Sequence, residues 1–321
     1  MPESVDPVLE RFDHYMNRCL YAEGAGFYST GGAAGRRGDF ITSPEVGPLF
    51  GVMVARLIDS WWDDLGQPEQ LGVFDVGTGP GTLLRSLKAA TPRCCDAWTL
   101  IGVDRANAQA SKSLPKDLSG SIVIANELLD NMAFRVVERR AKDEWFEVFV
   151  AAGSGMSQSV HEERLVAIED PNLGVDVPVG CRVPWHQEAS AWVDGVLAAG
   201  AAKVLVFDYG APTTAELATR GGWLRTYAGH MRGSDPYQTP GSCDITTDVG
   251  FDQFRPPAVL TTQAELLQDL GLSELVDEGK AFWEANAGSP NLEAMKMRSR
   301  VSEAEALSDP DGLGSWQVAI W

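Results

Sequence analysis

Asp75-Val76-Gly77-Thr78-Gly79-Pro80-Gly81-Thr82 follows the apolar run Leu71-Gly72-Val73-Phe74 and precedes Leu83-Leu84-Arg85-Ser86-Leu87-Lys88-Ala89-Ala90. The order reads as a buried strand, a glycine-rich turn and a helix. Glycine has no Cβ, so the backbone turns tightly there and can come close to a ligand. An acid stands two positions before the first glycine, at the strand end, where its carboxylate can face a cationic group. A dinucleotide fingerprint would need its third glycine at Thr82, and the spacing here is G-x-G-x-G instead. No G-x-x-x-x-G-K-[ST] segment exists, which argues against a nucleoside triphosphate loop.

The composition narrows the classes further. With 321 residues and 44% hydrophobic content the chain can bury a full core, as one large α/β domain or a domain carrying an insertion. Its 26 basic and 45 acidic residues give a net charge of −19, which argues against nucleic acid or an anionic membrane as partner. No apolar stretch approaches the roughly 18 residues of a membrane-spanning helix. The five cysteines (19, 94, 95, 181 and 243) are odd in number and hold no C-x-x-C, so neither a disulfide framework nor a zinc site is indicated. The four histidines form no metal-ligand pattern. Reduced cysteines and an acidic start lacking leader character give the expectation of a cytoplasmic protein.

Along the chain, residues 5–23 read as a helix and 24–38 as a glycine-rich loop. Thr42 and Glu45 have the spacing of a capping box, with Pro44 suited to a first turn. The long helix after Pro48, running to Leu65, offers an N-terminus that suits an anion. Strands follow at 73–76, at 99–104 ending in Asp104, and at 121–125 running into Asn126-Glu127-Leu128-Leu129-Asp130. Asp104 lies where an acid in a doubly wound fold reaches ribose hydroxyls. Residues 134–138 and 145–150 read as a hairpin, 188–199 as a helix, and 202–210 as a central strand ending in Asp208-Tyr209-Gly210. Residues 221–252 read as a long loop, 261–270 as a helix, Leu275-Val276 as a strand start, 291–307 as a helix, and 315–321 as a last strand. Alternating strands and helices imply a parallel sheet with ligands at the strands' carboxyl ends.

Three segments stand in order: Gly38–Glu45 (GDFITSPE), Asp75–Leu83 (DVGTGPGTL) and Asn126–Asp130 (NELLD). Asp208-Tyr209-Gly210, Leu224-Arg225-Thr226-Tyr227 with His230, and Pro240–Thr246 complete the set. From about Leu20 to Leu272 this arrangement resembles the MidA-like family of S-adenosylmethionine (SAM)-dependent methyltransferases, whose members include a mitochondrial complex I assembly factor that methylates arginine. The chain departs from the family in four places. Asp75 replaces a glutamate, Ala133 a proline and Gly250 an aspartate. Only 21 residues separate Asp104 from Asn126, where the family places a helix and a third strand whose end frames the adenine.

The resemblance implies an α/β fold, the class I methyltransferase Rossmann-like doubly wound sheet, with an added substrate-binding lobe. It is expected as a single methyltransferase domain over 1–321. Within it lie an N-terminal helical extension (1–65), a SAM-binding core (66–130), a hairpin and insertion (131–200) and the rest of the core (201–321), with 221–252 as a substrate-side loop. SAM is the expected cofactor. Its candidate contacts are Gly38, Asp39, Ser43, Pro44, Glu45, Asp75, Gly77, Thr78, Gly79, Gly81, Asp104 and Asn126. The implied acceptor is a protein arginine. A guanidinium stays protonated, so carboxylates must orient it and localise its charge, and Glu127, Asp130 and Asp208 are the catalytic candidates. Tyr209, Arg225, His230 and Asp244 are candidate substrate contacts. Two alternatives stay open: a methyltransferase for a small molecule or another side chain, and a non-catalytic assembly protein on the same fold.

Overall fold

A computed structural model of the chain describes residues 9–30, 42–152, 161–229, 231–289 and 291–321. The chain divides into two compact units. One comprises Ile41–Glu127, Gly195–Tyr209 and Pro257–Trp321; the other comprises Met1–Phe40, Leu128–Asp194 and Gly210–Pro256.

The first unit is built on a six-stranded sheet. Its strands are β1 (Leu71–Val76), β2 (Trp98–Val103), β3 (Ile122–Asn126), β4 (Lys203–Asp208), β5 (Val259–Thr262) and β6 (Gln317–Ile320), in the order β5-β6-β4-β3-β1-β2. The contacts β2–β1, β1–β3 and β3–β4 are parallel, and β6 runs antiparallel to both β4 and β5. The parallel strands read as unbroken apolar runs because helices cover both faces of such a sheet. Val73, Ile122, Ile124, Leu205 and Phe207 are buried, packed with Phe50, Met53 and Ile58 of helix Pro48–Asp64 and with Leu83 and Leu87 of helix Thr82–Ala90. The two helices come close because Gly51 has no Cβ; one there would sit 2.3 Å from Ser86 Cβ.

No helix or third strand separates β2 from β3. The chain instead folds back so that Ser111 bridges the end of β2, with Asp104 N donating to Ser111 O and Ser111 N to Gly102 O. β2 is therefore the edge of the sheet.

Two expectations at the start of this unit are corrected. Thr42 makes no side-chain cap, and Ser43 Oγ donates to Gln263 Oε1 at 2.8 Å. A capping box forms instead at Thr262 and Glu265. The N-terminus of helix Pro48–Asp64 is not open to an external anion, because Leu49 N donates to the buried Glu303 carboxylate at 2.8 Å. Ser299 Oγ holds the other oxygen of Glu303 at 2.6 Å. A third correction concerns Leu275 and Val276, which lie within helix Leu272–Asn286 rather than at a strand start.

The second unit is mainly antiparallel. Strand Glu144–Ala152 pairs with Arg135–Ala141, His161–Ile168 and Leu9–Arg11, and Arg135–Ala141 also pairs with Cys181–Trp185. The expected helix over 5–23 is Phe12–Tyr21, because Arg11 is extended and Leu9–Arg11 joins the sheet. Its apolar stripe of Phe12, Tyr15, Met16, Cys19 and Leu20 packs on Phe134, Val136, Val148 and Val150. The segment read as a loop at 221–252 holds a three-stranded antiparallel sheet. Leu224–Ala228 lies between Met231–Gly233 and Asp244–Thr247. Ile245 enters the apolar cluster. Strand alternation therefore turns Asp244 and Thr246 to the opposite face.

Replacing Glu303 with alanine leaves the Leu49 N–H buried without its acceptor. We expect a loss of about 1–3 kcal/mol in urea unfolding, with Glu303→Gln retaining most of it; an unchanged midpoint for Glu303→Ala would contradict this capping role.

Candidate functional site

The glycine turn leaves β1 as the sequence anticipates. Gly77, Gly79 and Gly81 have φ of +73°, +50° and +75°, a region that side-chain-bearing residues avoid. A Cβ built on Gly79 meets no atom within 4 Å, so the turn has open space over it. The turn is held from the far side by the segment after β2. Asp104 Oδ2 accepts from Gly79 N at 2.9 Å, and Asn107 Nδ2 donates to Gly79 O at 2.7 Å. Asp104 Oδ1 accepts from Ala106 N and Asn107 N at 2.7 and 2.9 Å. Asp104 is thus engaged with three backbone N–H groups; a carboxylate has about four acceptor sites, so room for one further donor remains. Asn107 was not anticipated, since it acts on a residue 28 positions away and carries no local signature.

Asp75, the penultimate residue of β1, is 3% exposed and accepts from Thr78 Oγ1 at 2.6 Å. Burial pushes its carboxyl up to about 7; the Thr78 hydrogen bond opposes the rise and the Asp104 charge adds to it. A cation placed beside Asp75 would offset that desolvation. Asn126, at the end of β3, has a buried Oδ1 with no hydrogen-bond partner, while its Nδ2 donates to Glu127 Oε1 at 2.9 Å. This orphaned acceptor and the bare Gly79 fit a ligand with donors and a close approach to the turn.

Glu127 and Asp208 stand at the carboxyl ends of neighbouring strands, since Asn126 pairs with Phe207 and Glu127 N donates to Phe207 O. Glu127 has φ of +52°, an uncommon conformation for a non-glycine residue. Such residues cluster at functional sites, where the surroundings hold them in place. Asp208 is fully buried and accepts from Tyr209 N at 3.0 Å, and the Tyr209 ring packs on Trp316. Ser43 and Pro44 are buried and Glu45 is half-buried. Gly38, Asp39 and His230 lie outside the described residues.

Within the second unit Asp130 and Asp244 lie close together. Asp130 belongs to the short helical turn Leu129–Asn131 and is 3% exposed, and Asp244 is fully buried. The Tyr28 hydroxyl donates to Asn131 Oδ1. Arg225, a candidate substrate contact, pairs with the buried Asp248, which also receives Arg220. Its charge is thereby matched inside this unit. Tyr28, Asn131 and Thr246 are members that the sequence reading missed. Among the described residues no group of three or more His, Cys, Asp or Glu is arranged to hold a metal, and no helix is long and apolar enough to cross a membrane.

Gly79→Val tests the turn. Valine at positive φ costs about 1–2 kcal/mol of strain, and its Cβ meets no atom within 4 Å, so we expect the fold to be retained while the side chain enters the open space. Calorimetry is expected to show loss of S-adenosylhomocysteine binding with a cooperative thermal transition preserved; unchanged affinity would contradict the assignment.

The model of a family described as "Putative S-adenosyl-L-methionine-dependent methyltransferase" matches residues 103–267, just over half of the chain. A methyl transferase candidate from Burkholderia thailandensis, solved bound to S-adenosyl-homocysteine, is 26% identical with a TM-score of 0.80, covering 97% of this chain and 87% of that one. A Drosophila melanogaster protein named as a mitochondrial protein arginine methyltransferase, an NDUFAF7 homolog, is 28% identical over 78% of this chain and 65% of its own length. The Xenopus tropicalis protein arginine methyltransferase NDUFAF7 is 24% identical over 80% of this chain and 71% of its own. The match thus spans just under two thirds of the Drosophila relative. The cytoplasmic expectation is overturned, because these curated relatives are named as mitochondrial proteins. Reduced cysteines do not separate one thiol-reducing compartment from another. The fold is that of class I methyltransferases, and the chain belongs to this family of SAM-dependent methyltransferases.

Proposed function

We propose that this protein transfers a methyl group from SAM to a nitrogen of a protein arginine. The observation that carries the cofactor half is Asp75, a buried carboxylate at the mouth of an open glycine turn. The acceptor half draws on the names of the curated relatives and on the paired strand ends carrying Glu127 and Asp208.

SAM supplies an electrophilic methyl group on a sulfonium centre. Asp75 would face its ammonium group, and the turn at Gly77–Gly81 would receive its body. The Asn126 Oδ1 acceptor would take a donor at the end of β3. Asp104 would add a ribose hydroxyl to the N–H groups that it already holds. Methyl transfer is an in-line displacement, so most of the chain's contribution is positioning. A guanidinium resists attack on an electrophile because its lone pair is delocalised. Glu127, as main ligand, and Asp208 would orient the group and draw its positive charge away from the attacking nitrogen.

A non-catalytic assembly protein is the second reading, favoured by the missing strand after β2. Titration with SAM separates the two. Binding in the micromolar range is expected, and no heat at millimolar ligand would reject the enzyme reading. Labelled methyl transferred into a cell lysate, followed by acid hydrolysis, is expected to yield methylarginine. Label confined to small molecules would reject the arginine acceptor.

A further inference from the structure

The peptide joining Gly79 to Pro80 has little of its own to hold it. Proline carries no N–H, so the Gly79 carbonyl is the one hydrogen-bonding group in that peptide plane. Glycine reaches positive and negative φ with similar ease, so the backbone of Gly79, at φ +50°, does not fix the plane either. Asn107 Nδ2 meets the carbonyl at 2.7 Å. The neighbouring groups of the turn are held separately. Gly77 N and Thr78 N donate to Val103 O at 2.8 and 3.3 Å, Gly81 N donates to Thr78 O at 2.8 Å, and Arg85 Nη1 donates to Pro80 O. Loss of the Asn107 amide would therefore release one peptide plane and leave the others in place.

Asn107 is itself fixed on every side, and all the groups concerned lie in the same compact unit as the turn. Its N–H donates to Asp104 Oδ1 at 2.9 Å, and its carbonyl accepts from Lys112 Nζ at 2.8 Å. Its Oδ1 accepts from Gln109 N at 2.9 Å, which turns the amide so that Nδ2 faces Gly79. An amide is suited to this place because it accepts on one side and donates on the other. A carboxylate of the same shape would set an acceptor against the Gly79 carbonyl.

We propose that Asn107 is a positioning residue for methyl transfer: by holding the Gly79 carbonyl it presets the glycine turn in the conformation that receives SAM. The proposal rests on the placement of SAM at this turn and names the side chain that prepares it. Asn107 touches no reacting atom and moves no proton; it acts through Gly79. With the amide removed, the Gly79–Pro80 plane samples other orientations and only a fraction of the molecules is ready to bind. The apparent affinity then falls by that fraction. A bound ligand holds the turn in the same conformation whether or not Asn107 is present. The loss therefore falls on the association rate, while the dissociation rate stays nearly constant.

The test is surface plasmon resonance of the full chain with S-adenosylhomocysteine at pH 8, on wild type, Asn107→Ala and Asn107→Asp, with urea unfolding of each. Asn107→Ala removes the donor; Asn107→Asp keeps the shape and turns the donor into an acceptor. Affinity is expected to fall about fivefold in Asn107→Ala, the worth of one neutral hydrogen bond, and further in Asn107→Asp. The fall is expected in kon, with koff within about twofold of wild type and urea midpoints close to that of wild type. Wild-type affinity in both variants would overturn the proposal. So would a loss carried by koff alone, which marks a direct contact, or a loss that follows the urea midpoint, which marks a purely structural bond. Absence of S-adenosylhomocysteine binding by wild type would overturn the placement of the cofactor at the turn, and this proposal with it. Wild-type binding with unaltered variants would overturn the role of Asn107 alone.

Discussion

The geometry of the cofactor half depends on one carboxylate. Asp104 accepts three backbone N–H groups, one from Gly79 and two from the loop that follows β2. Charge-assisted bonds of this kind are short and strong; the one from Gly79 ties the turn to the loop that the other two hold. Asn107 completes the clamp by donating to the Gly79 carbonyl. Both polar groups of Gly79 are thus satisfied from one side, which leaves its other side bare. The clamp also compensates for a short connection. Where the resembling family has a helix and a third strand, this chain has a loop that bridges β2 at Ser111 and braces the turn directly.

Buried acids set the character of both units. Within the first, Asp75 and Asp208 sit at strand ends, where parallel strands deliver side chains to the ligand-binding edge. Within the second, Asp130 and Asp244 meet although 114 residues separate them in the chain. Burying a carboxylate costs stability unless hydrogen bonds or a cation compensate it. Glu303 shows the contrast. It is also buried, yet both oxygens are occupied by Leu49 N and Ser299 Oγ, so its role is architectural.

Much of the first unit was legible in the sequence. β1, β2, β3, β4 and β6 are apolar runs, and strands covered on both faces have this pattern. The turn after β1 announces itself by spacing. The polar sheet at 224–247 was not legible, since its strands are three to five residues long and alternate polar with apolar side chains like a loop. Leu275 and Val276 misled because an adjacent apolar pair fits a strand as well as a helix; the buried Leu272 three residues earlier marks the helix. The capping expectation at Thr42 failed for a non-local reason. The groups that satisfy this region, Gln263 and Glu303, lie more than 200 residues away and leave no local trace. The candidate acids were individually visible, but the partnership of Asp130 with Asp244 needed the fold.

The central claim is that Asp75 waits, buried, for the ammonium group of the cofactor. The direct measurement is the affinity for S-adenosylhomocysteine between pH 5.5 and 8.5, by calorimetry of wild type and Asp75→Asn. In the free protein this carboxyl titrates near 7 and must be ionised to pair with a cation. Wild-type affinity is therefore predicted to be constant above about pH 7 and to fall towards tenfold per unit below it, with Asp75→Asn weak and flat throughout. A flat wild-type profile, or full affinity in Asp75→Asn, would contradict the account.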